Sequence, residues 1–331
     1  MAIEDKVLRN LKKALFIIVA VLLVVTTHVA SFFSAGAFFC DFALLRYQRT
    51  MNDILDSSKQ KSEQQNLYIL EDEWFESVPN KTTIELISED NLTLKAVRIE
   101  NQVLSDKWAI VVHGYRGSVR SMSNYAKHFY DEGYNVLMPH LRAHGESEGD
   151  YISMGWLDRI DMMGWINGIV NENPNAQIVL LGVSMGAATV MMTTGENLPN
   201  NVKVAISDCG YSSVIDQFSH ILNHYLLSRS FPILDASNYF SKTKFGFDLY
   251  DASAVKQLGK SITPTLFIHG SADEFVPYFM LDKVYNAATN LVDGISKDKL
   301  IVEGAEHAMS ASIAPESYWN KVLNFISMHI A

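Results

Sequence analysis

Gly182-Val183-Ser184-Met185-Gly186 fits the pattern G-x-S-x-G, which alone is short enough to arise by chance. Its surroundings carry more. The apolar run Ile178 to Leu181 precedes it and a helix-like run beginning Ala187-Ala188 follows, the strand–turn–helix setting in which a sharp turn lifts a serine hydroxyl above a sheet edge. The flanking glycines permit the close backbone approach that such a turn demands. That hydroxyl becomes a nucleophile only if a base takes its proton and an acid orients the base and stabilises its charged form. On a corner of this kind the partners follow in the order serine, acid, histidine. His307, in Gly304-Ala305-Glu306-His307-Ala308, meets that order; His269 precedes the candidate acid and does not. Asp273 is the expected acid, because Val276-Pro277 opens a helix and would fix its loop, and Asp208 is the alternative. The developing oxyanion needs donors, expected from the backbone N–H of Met185 and, in the loop His113-Gly114-Tyr115-Arg116-Gly117, from that of Tyr115. His113 reads as a brace for that loop.

The elements that would position these groups are legible around them. Thr82 to Ile87 and Leu92 to Ile99 alternate in hydrophobicity about Asp90-Asn91, which predicts a hairpin. Compact apolar runs follow at Trp108–Val112, Asn135–Met138, Ile178–Leu181, Val202–Ile206, Thr265–Ile268 and Lys299–Val302, as expected of strands buried on both faces. Helices are expected near 121–132, 154–170, 185–194, 277–288 and 315–329. An antiparallel start followed by β-α units predicts an α/β fold, a mostly parallel sheet with helices on both faces. The interval from Ser207 to Thr265 is too long for a simple crossover, and its aromatic middle, about 211–250, is expected to be an inserted lid.

Ahead of this domain the chain changes character. Residues 14–40 carry no charged side chain, enough to cross a hydrocarbon core that needs about 20 residues. Lys6, Arg9, Lys12 and Lys13 precede them, so residues 1–13 are expected in the cytoplasm and everything beyond the span outside it. Cleavage after the small residues Ala35 and Ala37 is the competing reading, but the apolar run continues through Phe38, Phe39, Phe42 and Leu44. Residues 41–66, polar from Ser57 to Gln65, read as a stalk, and 67–331 as the catalytic domain. A net charge of −10 without clustered Lys and Arg argues against a nucleic-acid partner. Cys40 and Cys209 are the sole cysteines and have no metal-site spacing, so neither a metal nor a cofactor is expected.

From about residue 68 onward these features resemble the α/β-hydrolase superfamily, and within it the lidded bacterial hydrolases related to dipeptidyl aminopeptidases, acylaminoacyl peptidases and serine aminopeptidases. Pro139-His140-Leu141-Arg142-Ala143-His144-Gly145-Glu146-Ser147-Glu148-Gly149 is similar to that group's Asp-Leu-Arg-Gly-His-Gly-x-Ser-x-Gly loop, with His140 and Ala143 as departures at positions that are not catalytic in it. The resemblance implies hydrolysis of an ester, thioester or amide through an acyl-serine. Acyl transfer to another nucleophile and a silent binding module are the other readings. The apolar lid favours acyl esters as small-molecule substrates over the aminopeptidase alternative.

Overall fold

The computed structural model of the chain describes residues 2–46 and 73–330. Eight strands form one sheet: β1 (Lys81–Ile87), β2 (Thr93–Ile99), β3 (Lys107–Val112), β4 (Asn135–Pro139), β5 (Gln177–Val183), β6 (Val202–Asp208), β7 (Thr265–Gly270) and β8 (Lys297–Val302). Their order across the sheet is β1-β2-β4-β3-β5-β6-β7-β8. β1 and β2 pair as the expected hairpin, β2 meets β4 antiparallel, and the remaining pairs are parallel. Asn91 turns the hairpin with φ of 65°, a left-handed conformation that asparagine tolerates better than most residues.

Alternation explains why the central strands read as unbroken apolar runs. Ile110, Val112, Ile178 and Leu180 point into the core on one face of the sheet, while Ala109, Val111, Val179 and Leu181 point into the core on the other. Strands sandwiched in this way have no solvent face and so few polar positions. The helices that cover them are, after an N-terminal α1 (Ala2–Leu44), α2 (Ser123–Asp131), α3 (Asp158–Glu172) and α4 (Met185–Thr193), then α5 (Val214–His220) and α6 (Ser230–Phe240), and finally α7 (Ala254–Leu258), α8 (Phe279–Ala287), α9 (Ser310–Ile313) and α10 (Pro315–Ser327). The strand order reverses direction between β3 and β5. The loops leaving those two strands therefore diverge, opening the crevice at the carboxyl edge in which open α/β sheets bind ligands.

The lid is an insertion whose two ends are joined by an antiparallel bridge between Ser213 and Ser253. Between them, α5 and α6 each run on into a wider helical turn, Ile221–Tyr225 and Ser241–Phe245.

α1 has two parts with different surroundings. From Leu15 to Phe33 its large apolar side chains are exposed on every face. A helix apolar all round belongs in a core or a bilayer, and among the described residues this part stays unburied until Phe33, where the lid meets it. It is long and apolar enough to cross a membrane. From Phe33 the helix meets the lid, and Phe39, Cys40, Ala43 and Leu44 are buried. The segment 41–66, expected to run from an extension of the apolar helix into a polar stalk, is described only at its start. Residues 41–46 are the last turn and exit of α1, tied to the domain by Leu45 bridging Tyr151 and by Arg46 N–H donating to Asp150 O at 2.8 Å. The apolar run past Ala37 thus serves docking as well as length. The rest of the expected stalk, 47–66, lies outside the described residues.

Candidate active site

The strand-to-helix corner after β5 places Ser184. Its φ of 58° and ψ of −119° are a strained conformation for a residue with a side chain. The corner closes only because two neighbours lack one. A Cβ on Gly182 would lie 2.2 Å from the carbonyl oxygen of Gly186, and a Cβ on Gly186 would lie 2.1 Å from that of Val112. Ser184 N–H donates to Asp208 O at 2.9 Å, holding the corner against β6.

His307 comes from the loop between β8 and α9 and Asp273 from the loop after β7. His307 Nε2 lies 2.9 Å from Ser184 Oγ, and Nδ1 lies 2.8 Å from Asp273 Oδ2. The other oxygen of Asp273 accepts from the N–H groups of Phe275 at 3.0 Å and Val276 at 2.9 Å. Burial alone would raise this carboxyl. Hydrogen bonds from His269 and His307, with the charge of His307 and the Val276 N–H, outweigh it and bring the pKa down to about 2. The acid is therefore held as a carboxylate, the form that can stabilise an imidazolium.

His269, set aside above as a base, has a different place. Its Nε2 sits 2.9 Å from Val276 O and 3.3 Å from Asp273 Oδ2, so an N–H there is shared between the two and steadies the acid's loop. Asp208 is buried beside Tyr318, and the two ring nitrogens of His307 face Asp273 and Ser184 instead. Burial first, against the Tyr318 hydroxyl, pushes the Asp208 carboxyl up to about 6, the opposite direction from Asp273. The ligand atoms of Cys209, Asp273 and His307 lie within 4.8 Å of one another, but both ring nitrogens of His307 already face Ser184 and Asp273.

Both expected oxyanion donors border the serine. Met185 is the first residue of α4, where an N–H has no intrahelical acceptor. The loop after β3 passes against the serine so closely that a Cβ on Gly114 would lie 3.2 Å from Ser184 Cβ, which brings the backbone of Tyr115 to the site. Two buried histidines brace that loop. His113 Nδ1–H donates to Gly114 O at 2.8 Å while Nε2 accepts from Leu141 N–H at 3.2 Å. His144 accepts from Arg116 N–H at 3.0 Å and donates to Arg142 O at 2.9 Å. Burial depresses both, His113 to about 3, so each stays neutral and keeps its acceptor nitrogen. Arg142 anchors this second loop from below, its guanidinium paired through two bonds of 2.8 Å with buried Asp161 and through one of 2.9 Å with Asp90.

Ser184 opens into a cavity of about 290 Å³ whose walls are almost entirely apolar, among them Tyr211, Phe218, Ile221 and Phe275. One wall was not foreseen: Phe39, Phe42 and Ala43, from the last turns of α1, line the same cavity.

Comparisons with known proteins point to the same fold. The model of the alpha/beta hydrolase fold family matches residues 108–249. YqkD of Bacillus subtilis, an uncharacterized protein, is 28% identical over 218 residues, 66% of this chain and 70% of its own. YfhR of Escherichia coli O157:H7, also uncharacterized, is 25% identical over 221 residues, 66% of this chain and 69% of its own. Among solved structures, the Pyrococcus furiosus esterase Pf2001 superposes with a TM-score of 0.62 at 21% identity, over 76% of this chain and 93% of its own. A Pyrococcus horikoshii acylaminoacyl peptidase superposes at 0.55 and 17%, over 75% of this chain and 40% of its own. The chain has the α/β-hydrolase fold. Its neighbours in that fold include both an esterase and a peptidase, so the fold leaves the choice of bond to the site.

Proposed function

We propose that the chain is a serine hydrolase that cleaves esters of apolar acyl groups, with Ser184 as nucleophile, His307 as base and Asp273 as its orienting acid. The observation that carries this reading is the hydrogen-bonded relay Asp273–His307–Ser184, at 2.8 and 2.9 Å, opening on an apolar cavity. Ser184 Oγ attacks the acyl carbon while His307 Nε2 takes its proton. Charge collects on the carbonyl oxygen, held by the N–H groups of Met185 and Tyr115. The intermediate collapses, breaking the bond to the leaving alcohol, which takes the proton from His307. Water then attacks the acyl-serine with His307 again as base, releasing the carboxylic acid and restoring Ser184.

The cavity favours esters over free aminoacyl amides. Among the described residues that line it none is an acid. A free α-ammonium group would enter without a carboxylate to pair it, at the cost of burying an unpaired charge. Short- to medium-chain acyl esters should therefore show a kcat/KM at least roughly a hundredfold above that of unblocked aminoacyl amides, about the discrimination expected from a desolvated unpaired group. The reverse preference, measured on one panel of both substrates, would restore an aminopeptidase reading.

The N-terminal helix is proposed to span the membrane with residues 1–13 in the cytoplasm and the catalytic domain outside, supported by Lys6, Arg9, Lys12 and Lys13 ahead of the apolar run. External protease on intact cells should then digest the domain. Protection until the membrane is breached would reverse the orientation.

A further inference from the structure

We propose that the N-terminal helix is a working part of the active site: its last turns wall the acyl cavity beside Ser184, so that the enzyme takes membrane-resident acyl esters directly from the bilayer that holds the helix. This rests on the serine-hydrolase reading above and adds the source and class of the substrate.

The docking of α1 on the lid is specific. Phe33 meets Tyr239 and Phe240 edge-on at 5.9 and 6.3 Å, and Phe39 meets Phe218 at 5.3 Å with perpendicular rings. Between these two contacts the backbones of α1 and α6 close up. A Cβ on Gly36 would lie 2.4 Å from Ala236 Cβ, and Ser237 Oγ donates to Gly36 O at 2.9 Å. The end of the helix is capped by the site itself. Tyr115 Oη donates to Ala43 O at 2.8 Å and Arg116 donates to Phe42 O at 2.9 Å, satisfying carbonyls that a helix terminus leaves unpaired. The two capping residues belong to the oxyanion loop. Lys244 adds an ion pair to Asp41 at 2.6 Å.

Geometry then fixes the level of the cavity. The unpacked apolar part of α1 ends near Phe33, and Phe39 lies six residues on. At ~1.5 Å per residue that is about 9 Å along the helix, at the outer margin of the headgroup layers that take a ~30 Å hydrocarbon core to ~40–45 Å overall. Phe42 and Leu226 line the cavity yet stay 54% and 52% exposed, so the cavity opens at the seam between helix and lid. Nearby lid side chains are more exposed still, Leu227 at 88% and Phe231 at 74%, an apolar fringe poorly suited to water and well suited to an interface. A substrate whose acyl chain already lies in the bilayer would reach Ser184 along this seam without crossing water. A polar headgroup would remain on the outer side of the ester.

The test uses the full-length protein in phosphatidylcholine vesicles, with a fluorogenic long-chain acyl ester placed either in the same vesicles or in separate ones. A water-soluble short-chain ester and fluorophosphonate labelling of Ser184 serve as references. The wild type should turn over the long-chain ester roughly tenfold or more faster from the same bilayer, a gain equivalent to keeping a few methylenes out of water. Gly36→Leu, which wedges α1 off the lid, should bring turnover of the long-chain ester from same and separate vesicles to one value, while persisting fluorophosphonate labelling of Ser184 shows that the domain is folded and the serine still reactive. Phe39→Leu, which keeps the wall apolar, should retain the advantage. Equal turnover from same and separate vesicles by the wild type overturns the inference, as does an undiminished advantage in Gly36→Leu. If the wild type neither labels nor turns over either ester, the triad reading fails first, and the inference with it.

Discussion

Replacing Ser184 with Ala should lower kcat on acyl esters by about 10⁶, and His307→Ala should do nearly the same, the size of loss seen where a triad's serine or histidine is removed. The two residues share one hydrogen bond of 2.9 Å, and in the proposed relay neither acts without the other. Combining the two substitutions should therefore cost no more than either alone. Residual turnover in all three variants would come from the Met185 and Tyr115 donors and from the cavity, which remain. Losses that add in the double variant would show that the two side chains act independently, contrary to the relay described here.

Asp273→Asn should lower kcat on the order of 10⁴ with little change in KM. The substituted amide presents either an oxygen or an N–H to His307 Nδ1. In the latter case it favours the wrong tautomer of the ring, and in both it removes the negative charge facing the imidazolium. Asp208→Asn should cost less than about tenfold, because the hydrogen bonds of His307 go to Asp273 and Ser184 and burial already drives the Asp208 carboxyl toward the neutral form. The contrast between the two aspartates is sharp enough for steady-state kinetics on one soluble ester to decide. A larger loss in Asp208→Asn than in Asp273→Asn would reassign the acid.

Much of this was legible in the sequence for reasons that are physical. Strands buried on both faces carry few polar side chains, so β3 to β7 announce themselves as short apolar runs. The Ser184 corner announces itself because only glycine fits at 182 and 186. Other features depend on contacts that no local pattern encodes. His269 supports Asp273 only because the turn from Gly270 to Val276 folds the ring back over the carboxylate. Arg142 meets partners 19 and 52 residues away, at Asp161 and Asp90. The C-terminal turns of α1 were hidden for another reason. Apolar side chains bound for lipid and those bound for a protein surface have the same composition, and Gly36 between Ala35 and Ala37 looks like a processing site until Ala236 is seen against it.

The central claim is that Ser184 is an activated nucleophile, and fluorophosphonate labelling of the full-length protein followed by peptide mass spectrometry tests it most directly. The probe reacts with a serine whose proton a neighbouring base removes, independent of which acyl substrate the cavity prefers. The adduct should map to the peptide holding Ser184, vanish in Ser184→Ala and fall severely in His307→Ala. An adduct on another residue, or labelling that survives Ser184→Ala undiminished, would contradict the account.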